Sequence, residues 1–486
     1  MSVLCPLLSR AAPPLAEPGE ARERGPTVDW ERADQEVVDL LQGYLRVDTT
    51  NPPGHETRGA AYLADALARE GVPWEIVEEL PGRGNLIARL PGRGDEAPLC
   101  LLSHLDVVGA EPASWPADRQ PLSGALDDDG MLWGRGALDM KGMGALQTMV
   151  MVLLRRHQVP LRREVILLAV ADEEVANQGM IHLVRDHWDE IGCSQLVNEG
   201  GFGLEGLFFE GQTVFPISVG DKGVLWVRMI ASGEPGHGST PTPDEAPERL
   251  VRALHRLERR RPRRHWHPEL FQLLGAAARD RGGLAGAVLR RPGLAKLVLR
   301  PRIRHNPLIQ AVLTDTVHLT GLGGAGEPNV VAGEAWANLD CRLQPGTTAE
   351  GLIAELVDLV DDPQVRFEVI QTFEAELSPV DDPLFHALAT RAVEEFPGSV
   401  AGPTLSVGFT DSAFARQLGV HAYGLIPFVL SRDELATVHG TGERVSVDNL
   451  HRGLRVLFRA IRDVSAASDG EWIDPGEVAT SPLGRH

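Results

Sequence analysis

The chain has 486 residues, too many for one ordinary core, so two domains with insertions are expected. Hydrophobic residues make up 43% of it and charged residues 24%, a globular balance that excludes wholesale disorder. The formal net charge of −21 disfavours nucleic acid as a partner, and no apolar run approaches the roughly 20 residues that span a bilayer, so neither role is expected.

Residues 1–28 are rich in Pro, Ala, Glu and Arg and read as a loose tail, because their one apolar patch is shorter than a signal-peptide core. Over 35–47 the apolar residues Val37, Val38, Leu41, Tyr44 and Leu45 recur at helical spacing, and 57–70 repeats the pattern before Gly71. Short β-like runs follow at 74–77, 85–90 and 99–103, then a Gly- and Asp-rich loop, then a helix over 140–156. The continuous apolar run 164–171 has strand length, and after another helical stretch 195–198 reads as a further strand. Alternating strand and helix predict an α/β fold, a mixed sheet flanked by helices. The character changes near 217. The expected division is a catalytic domain over 29–216 and 373–465, interrupted by an inserted α+β lid or dimerisation domain over 217–372, with a C-terminal tail over 466–486.

Within that insertion, residues 249–304 carry 16 basic and 3 acidic side chains, a local +13 that leaves −34 elsewhere. An arginine-rich helical surface is the expected reading, and a nucleic-acid patch the alternative. Cysteines 5, 100, 193 and 341 are scattered without a CxxC pair, which argues against a disulfide framework and against a cysteine zinc site, and for a reducing cytoplasm.

The chemistry gathers where apolar runs end. Leu101-Leu102-Ser103-His104-Leu105-Asp106 puts a histidine at a strand end with a carboxylate two residues on, a pattern of metal ligand and orienting residue. The run 165–171 leads into Asp172-Glu173-Glu174, and 195–198 into Glu199. In open α/β sheets ligands bind beyond the carboxyl ends of the strands, so these residues converge on one rim if the strands share a sheet. Asp139 follows a glycine-rich stretch and precedes a helix, where a plain N-cap is the competing reading. His439 lies in a glycine-flanked loop before the last helix. Two imidazoles and three carboxylates suit zinc, with cobalt or manganese as alternatives. Of the adjacent glutamates, Glu174 would bind metal, leaving Glu173 to take a proton from water and pass it to a leaving nitrogen.

These motifs resemble the metallopeptidase family of the aminoacylase, acetylornithine deacetylase, succinyl-diaminopimelate desuccinylase and glutamate carboxypeptidase type. The carriers are SHLDVV (103–108), GRGALDMKG (134–142), ADEE (171–174), NEGG (198–201), GHGSTP (236–241), PNVV (328–331), DCR (340–342) and TVHGTGE (437–443). The resemblance implies two divalent metal ions, with His104 and Glu199 on one, Glu174 and His439 on the other, and Asp139 bridging. It further implies that Asp106 orients His104 and Glu173 is the general base. His237 would stabilise the oxyanion, usually in the partner subunit's site, which implies a homodimer. Asn329 and Arg342 would grip a substrate carboxylate, and Gly408 and Thr410 would line a substrate loop, although GFTDS departs from the commoner GTSD. The expected activity is hydrolysis of an amide bond beside a carboxylate, in a small peptide or an N-acyl amino acid. The alternative is a non-catalytic metal- or ligand-binding protein on the same fold.

Overall fold

The computed structural model describes residues 28–467 except 241–242, 290, 292, 298–306 and 325. Apart from residues 28, 466 and 467, the tails expected at 1–28 and 466–486 lie outside the described residues. In chain order the larger unit has helices α1 (Trp30–Leu45) and α2 (Glu56–Arg69), strands β1 (Trp74–Glu78), β2 (Gly84–Leu90) and β3 (Glu96–His104), and helix α3 (Lys141–Arg156). Strands β4 (Arg163–Val170), β5 (Gln195–Glu205) and β6 (Thr213–Asp221) follow.

The second unit holds β7 (Gly223–Ser232), α4 (Ala246–Glu258), α5 (Pro268–Arg281), α6 (Gly283–Leu289), α7 (Pro307–Leu313), β8 (Thr316–Gly323), β9 (Glu334–Leu343), α8 (Ala349–Val360) and β10 (Val365–Phe373). The chain then returns to the first unit with α9 (Pro383–Glu395), β11 (Ser399–Ser406), β12 (His421–Leu430) and α10 (Val447–Ser465).

The large sheet has the order β11-β6-β12-β5-β3-β4-β2-β1. Its centre, β12-β5-β3-β4, is parallel throughout, which points four carboxyl ends the same way. The uninterrupted apolar run of β4 conceals a period of two. Val165, Leu167 and Ala169 join the core under α1, α3 and α10, whereas Ile166, Leu168 and Val170 join a second core with Met180 and Leu183 on the opposite face. Both faces are dry, so polar residues have no place between the apolar ones.

Three expectations change. The boundary at 217 falls inside β6, which belongs to the large sheet: Ile217 pairs with Pro403 and Ser218 with Gly424. The insertion starts after Asp221, and the returning chain meets its root where Gly220 bridges Leu377. The arginine-rich stretch is also not one surface. Helix α4 packs on the four-stranded antiparallel sheet β8-β9-β7-β10, with Leu250 and Ala253 in that core. Helix α5 instead packs on β11 of the large sheet, where Gly402 has no side chain to hold off Leu273. Finally, Cys100 and Cys193, neighbours in the second core, are joined as a disulfide. That removes the cysteine argument for a reducing cytoplasm. Among the described residues no helix is long and apolar enough to cross a membrane.

The root of the insertion is held by charge. Asp221 accepts hydrogen bonds from Arg416 Nη1 and from Thr410 Oγ1, each at 2.9 Å, and both partners are buried with it. Burial raises the Asp221 pKa, with Arg416 opposing the shift. Replacing Arg416 with Met leaves a buried unpaired carboxylate, so Arg416→Met is expected to lower stability by about 3–5 kcal/mol in equilibrium denaturation. The double variant with Asp221→Asn should recover part of the loss; an unchanged denaturation midpoint in the single variant would contradict this.

Candidate active site

The parallel centre of the sheet delivers the candidate ligands. His104 is the last residue of β3 and pairs in register with Val170, the last of β4, so Asp172-Glu173-Glu174 emerges beside it. On the other flank Leu101 pairs with Val197, which brings Glu199 to the same rim. Glu199 does not end its strand as expected, because β5 continues to Glu205 past a bulge. Gly201 and Gly424 make this passage possible: a Cβ on either would lie within 2.2 Å of a neighbouring carbonyl oxygen. The loop before α3 contributes Asp139, and the loop before α10 contributes His439.

Asp139 lies between two imidazoles. Its Oδ1 is 3.1 Å from His104 Nε2 and its Oδ2 is 3.0 Å from His439 Nε2. Glu174 Oε1 stands 3.1 Å from His439 Nε2, and Glu199 Oε1 stands 4.0 Å from His104 Nε2. The five residues therefore fall into two half-sites sharing one carboxylate. Asp139 does not cap α3, whose N-cap is Met140, so the plain capping role fails. The Asp139-Met140 peptide bond is cis.

Other carboxylates hold this arrangement from behind. His104 Nδ1 is 2.9 Å from the main-chain oxygen of Asp106 but 3.6 Å from its carboxylate. With Nδ1 donating to that carbonyl, Nε2 is the nitrogen turned toward Asp139. The Asp106 carboxylate accepts instead from the backbone N–H groups of Glu173 (3.1 Å) and Glu174 (3.2 Å) and from Asn51 Nδ2 (2.8 Å). Asp106 thus ties the end of β3 to the end of β4, beyond the orienting role expected of it. Glu443 does the same for Asp139: its Oε1 accepts the backbone N–H groups of Gly136, Leu138 and Asp139 at 2.8–3.1 Å, while Arg135 pairs with its other oxygen. Two non-glycine residues here have positive φ, Asp172 at 69° and His439 at 56°. Such backbone conformations cluster at functional sites, where surrounding contacts enforce them.

The electrostatics are those of a cation site. Burial, reinforced by Asp139, raises the Glu199 pKa well above the carboxylate range, and burial with Glu199 does the same to Glu173. His439 is pushed up to about 10 by Asp139 and then Glu174. Burial alone would lower His104, but Asp106 and Asp139 raise it well above an ordinary imidazole. The recess thus draws positive charge to the positions its donor atoms surround, and a set of imidazole nitrogens and carboxylate oxygens fits divalent cations of the zinc, cobalt or manganese kind.

Not every expected residue joins this cluster. Arg342 lines the same cavity as the ligands, with its guanidinium on Asp340 at 2.9 and 3.1 Å. Gly408 and Thr410 also line it, but the Thr410 hydroxyl is committed to Asp221. His237 and Asn329 lie elsewhere. They form an exposed patch on the insertion, where His237 pairs with Val330 and Gly238 N–H donates to Asn329 O. Ser239 N–H donates to His237 Nδ1 at 3.2 Å, which leaves its Nε2 as the donor. Sequence reasoning missed Glu443, Asn51 and Asp411. The last is buried, bonded by Asn177, and raised to about 7 chiefly by burial. Asp411 stands in the quoted GFTDS segment, and Glu443 ends the quoted TVHGTGE, but neither offers a spacing that predicts its partners.

Known proteins resemble this arrangement along most of the chain. The human N-fatty-acyl-amino acid synthase/hydrolase PM20D1 is 28% identical, across 94% of this chain and 93% of its own length. Mouse aminoacylase-1 is 25% identical, across 86% and 93%. Among solved structures, the M20 family metallo-carboxypeptidase Sso-CP2 from Sulfolobus solfataricus superposes with a TM-score of 0.65 at 18% identity, covering 88% of this chain and 99% of that one. Human carnosine dipeptidase 1 gives 0.61 at 17%, covering 90% and 99%. Residues 100–463 match peptidase family M20/M25/M40, and with the two half-sites around Asp139 in place the chain belongs to that family of hydrolases.

Proposed function

We propose that the protein is a two-metal amidohydrolase that removes the acyl group from N-acyl amino acids, with zinc as the metal and cobalt or manganese as substitutes. The observation that carries this reading is Asp139, one carboxylate oxygen toward each imidazole, in the same cavity as Arg342. His104 and Glu199 would hold one ion, Glu174 and His439 the other, and Asp139 both. When bound, such ions polarise a carbonyl and acidify a water.

The remaining work falls to the chain's own groups. Glu173 would take the water's proton and return it to the leaving nitrogen. Asp106 fixes the base through the backbone of Glu173. Arg342 would receive the substrate carboxylate, exchanging part of its contact with Asp340. Of the similar proteins, PM20D1, matched over nearly its full length, is named for an N-fatty-acyl-amino acid, which favours deacylation, while the dipeptidase and the carboxypeptidase are similar at only 17–18% identity. His237 and Asn329 lie outside the cavity of their own chain, which supports a homodimer in which a second copy brings His237 to the oxyanion.

Hydrolysis of N-acetyl amino acids against dipeptides, with protein stripped of metal and reloaded, tests the reaction; inactivity on both would refute it. Glu173→Gln is expected to lower kcat by about 10²–10⁴-fold while metal content is retained, and near-normal turnover would remove Glu173 from the role of base. Arg342→Met should raise KM with little change in kcat, costing about 1.5–3 kcal/mol of carboxylate binding. Mixing Glu173→Gln and His237→Ala proteins should restore about a quarter of wild-type activity if His237 acts across a two-fold dimer, whereas two variants that stay inactive together place it in its own site.

A further inference from the structure

Most of the cavity that holds the ligands is not needed for them. Its volume is about 1510 Å³, against the roughly 300–1,000 Å³ of ordinary small-molecule sites. A dipeptide or an acetylated amino acid would leave much of it open. Beyond Glu199 its wall is built from two segments that the chemistry has not used. One is the tip between β5 and β6, with Phe208 and Phe209; the other is the far part of the insertion, with Leu270 and Leu273 on α5, Leu289 on α6 and Val312 on α7.

That second segment belongs to the most basic part of the chain, yet among the described residues the side chains it turns into the cavity are apolar. Two of its cations sit against aromatic rings and are not among the cavity-lining residues: Arg281 is 5.8 Å from the Phe209 ring centroid, and Lys296 is 5.6 Å from that of Trp266. The wall is also braced. Gln212 Nε2 donates to Ala277 O (3.1 Å) and Asp280 Oδ2 (2.7 Å), joining the tip to α5, and Lys222 Nζ donates to Thr314 O (2.8 Å) at the end of α7. Apolar side chains held around open space, instead of collapsing on each other, make a binding chamber. Against the described side chains of that segment a peptide's N–H and C=O groups would find no partners, whereas an aliphatic chain brings none.

Resting on the deacylase reading, we propose that this chamber takes the acyl half of the substrate as an extended aliphatic chain, and that Leu270, Leu273, Leu289 and Val312 of the insertion set the chain length accepted. The carboxamide then lies at the ligands and the carboxylate at Arg342.

The test uses N-acyl derivatives of one amino acid, from acetyl to palmitoyl, with the metal-loaded enzyme and its Leu270→Trp and Val312→Trp variants. Each buried methylene contributes up to about fourfold, so kcat/KM is expected to rise at least about tenfold along the series. Each indole, by filling the chamber, should cut palmitoyl turnover at least about tenfold and leave acetyl turnover unchanged. Calorimetric binding of palmitate against acetate supplies a readout without turnover and should show the same loss. A flat series with no palmitate binding, while acetyl substrates are cleaved, overturns the chamber and leaves the deacylase reading standing. Retention of the long-chain preference by both variants overturns the assignment to the insertion. No turnover at any chain length, with palmitate binding lost in the variants, supports the chamber and refutes the deacylase.

Discussion

The constraint on which the rest of this protein depends is the crowding of carboxylates at one end of a sheet. Asp139, Glu174 and Glu199 share a recess with Glu173, and Asp411 is buried close enough to act on both Glu173 and Glu199. Like charges in a low-dielectric recess repel strongly, and the raised pKa values of Glu173 and Glu199 express their burial first and then that repulsion. Two imidazoles answer part of the charge, and divalent cations would answer the rest.

A recess of mutually repelling groups needs a frame that does not yield. Here two further carboxylates provide it, turned away from the centre. Asp106 takes the amides of Glu173 and Glu174, and Glu443 takes those of Gly136, Leu138 and Asp139. Each binds backbone, so it places a whole segment instead of one rotamer. This is the support that precise metal and catalytic geometry requires. Asn51 and Arg83 extend the frame, since Asn51 Nδ2 donates to both Asp106 and Asp172, and Arg83 pairs with Asp172 and Glu56.

The insertion divides into two parts with separate partners. Its sheet, with α4 and α8, forms its own core and presents His237 and Asn329 to solvent. Its helix α5 instead reaches the edge of the large sheet, and residues of α5, α6 and α7 wall the cavity. Under the proposed function the first part would complete the site of a second copy and the second would receive the substrate. Gly402 marks the seam, because a Cβ there would come within 3.0 Å of Leu273 on α5.

Much was legible in order along the chain. The apolar runs leading to His104, Asp172 and Glu199 are local patterns, and strands buried on both faces must be apolar throughout, so their positions could be read directly, although the third runs on to Glu205. The family resemblance supplied Asp139 and His439, which no periodicity marks. Other features depend on which distant residues meet, and only the tertiary structure decided them. Val165 to Val170 could be assigned to two faces only once both cores existed. Thr213–Asp221 became a strand of the large sheet through pairing with residues nearly 200 positions later. Cys100 and Cys193, 93 residues apart, met because β3 and β5 are neighbours. Asp106 and Glu443 found backbone amides that carry no sequence signal of their own. A run of arginines announced its charge in the sequence, but that its leucines would face a cavity was decided by the helix packing around it. Local pattern determines what each segment must bury; the pairing of segments determines against what.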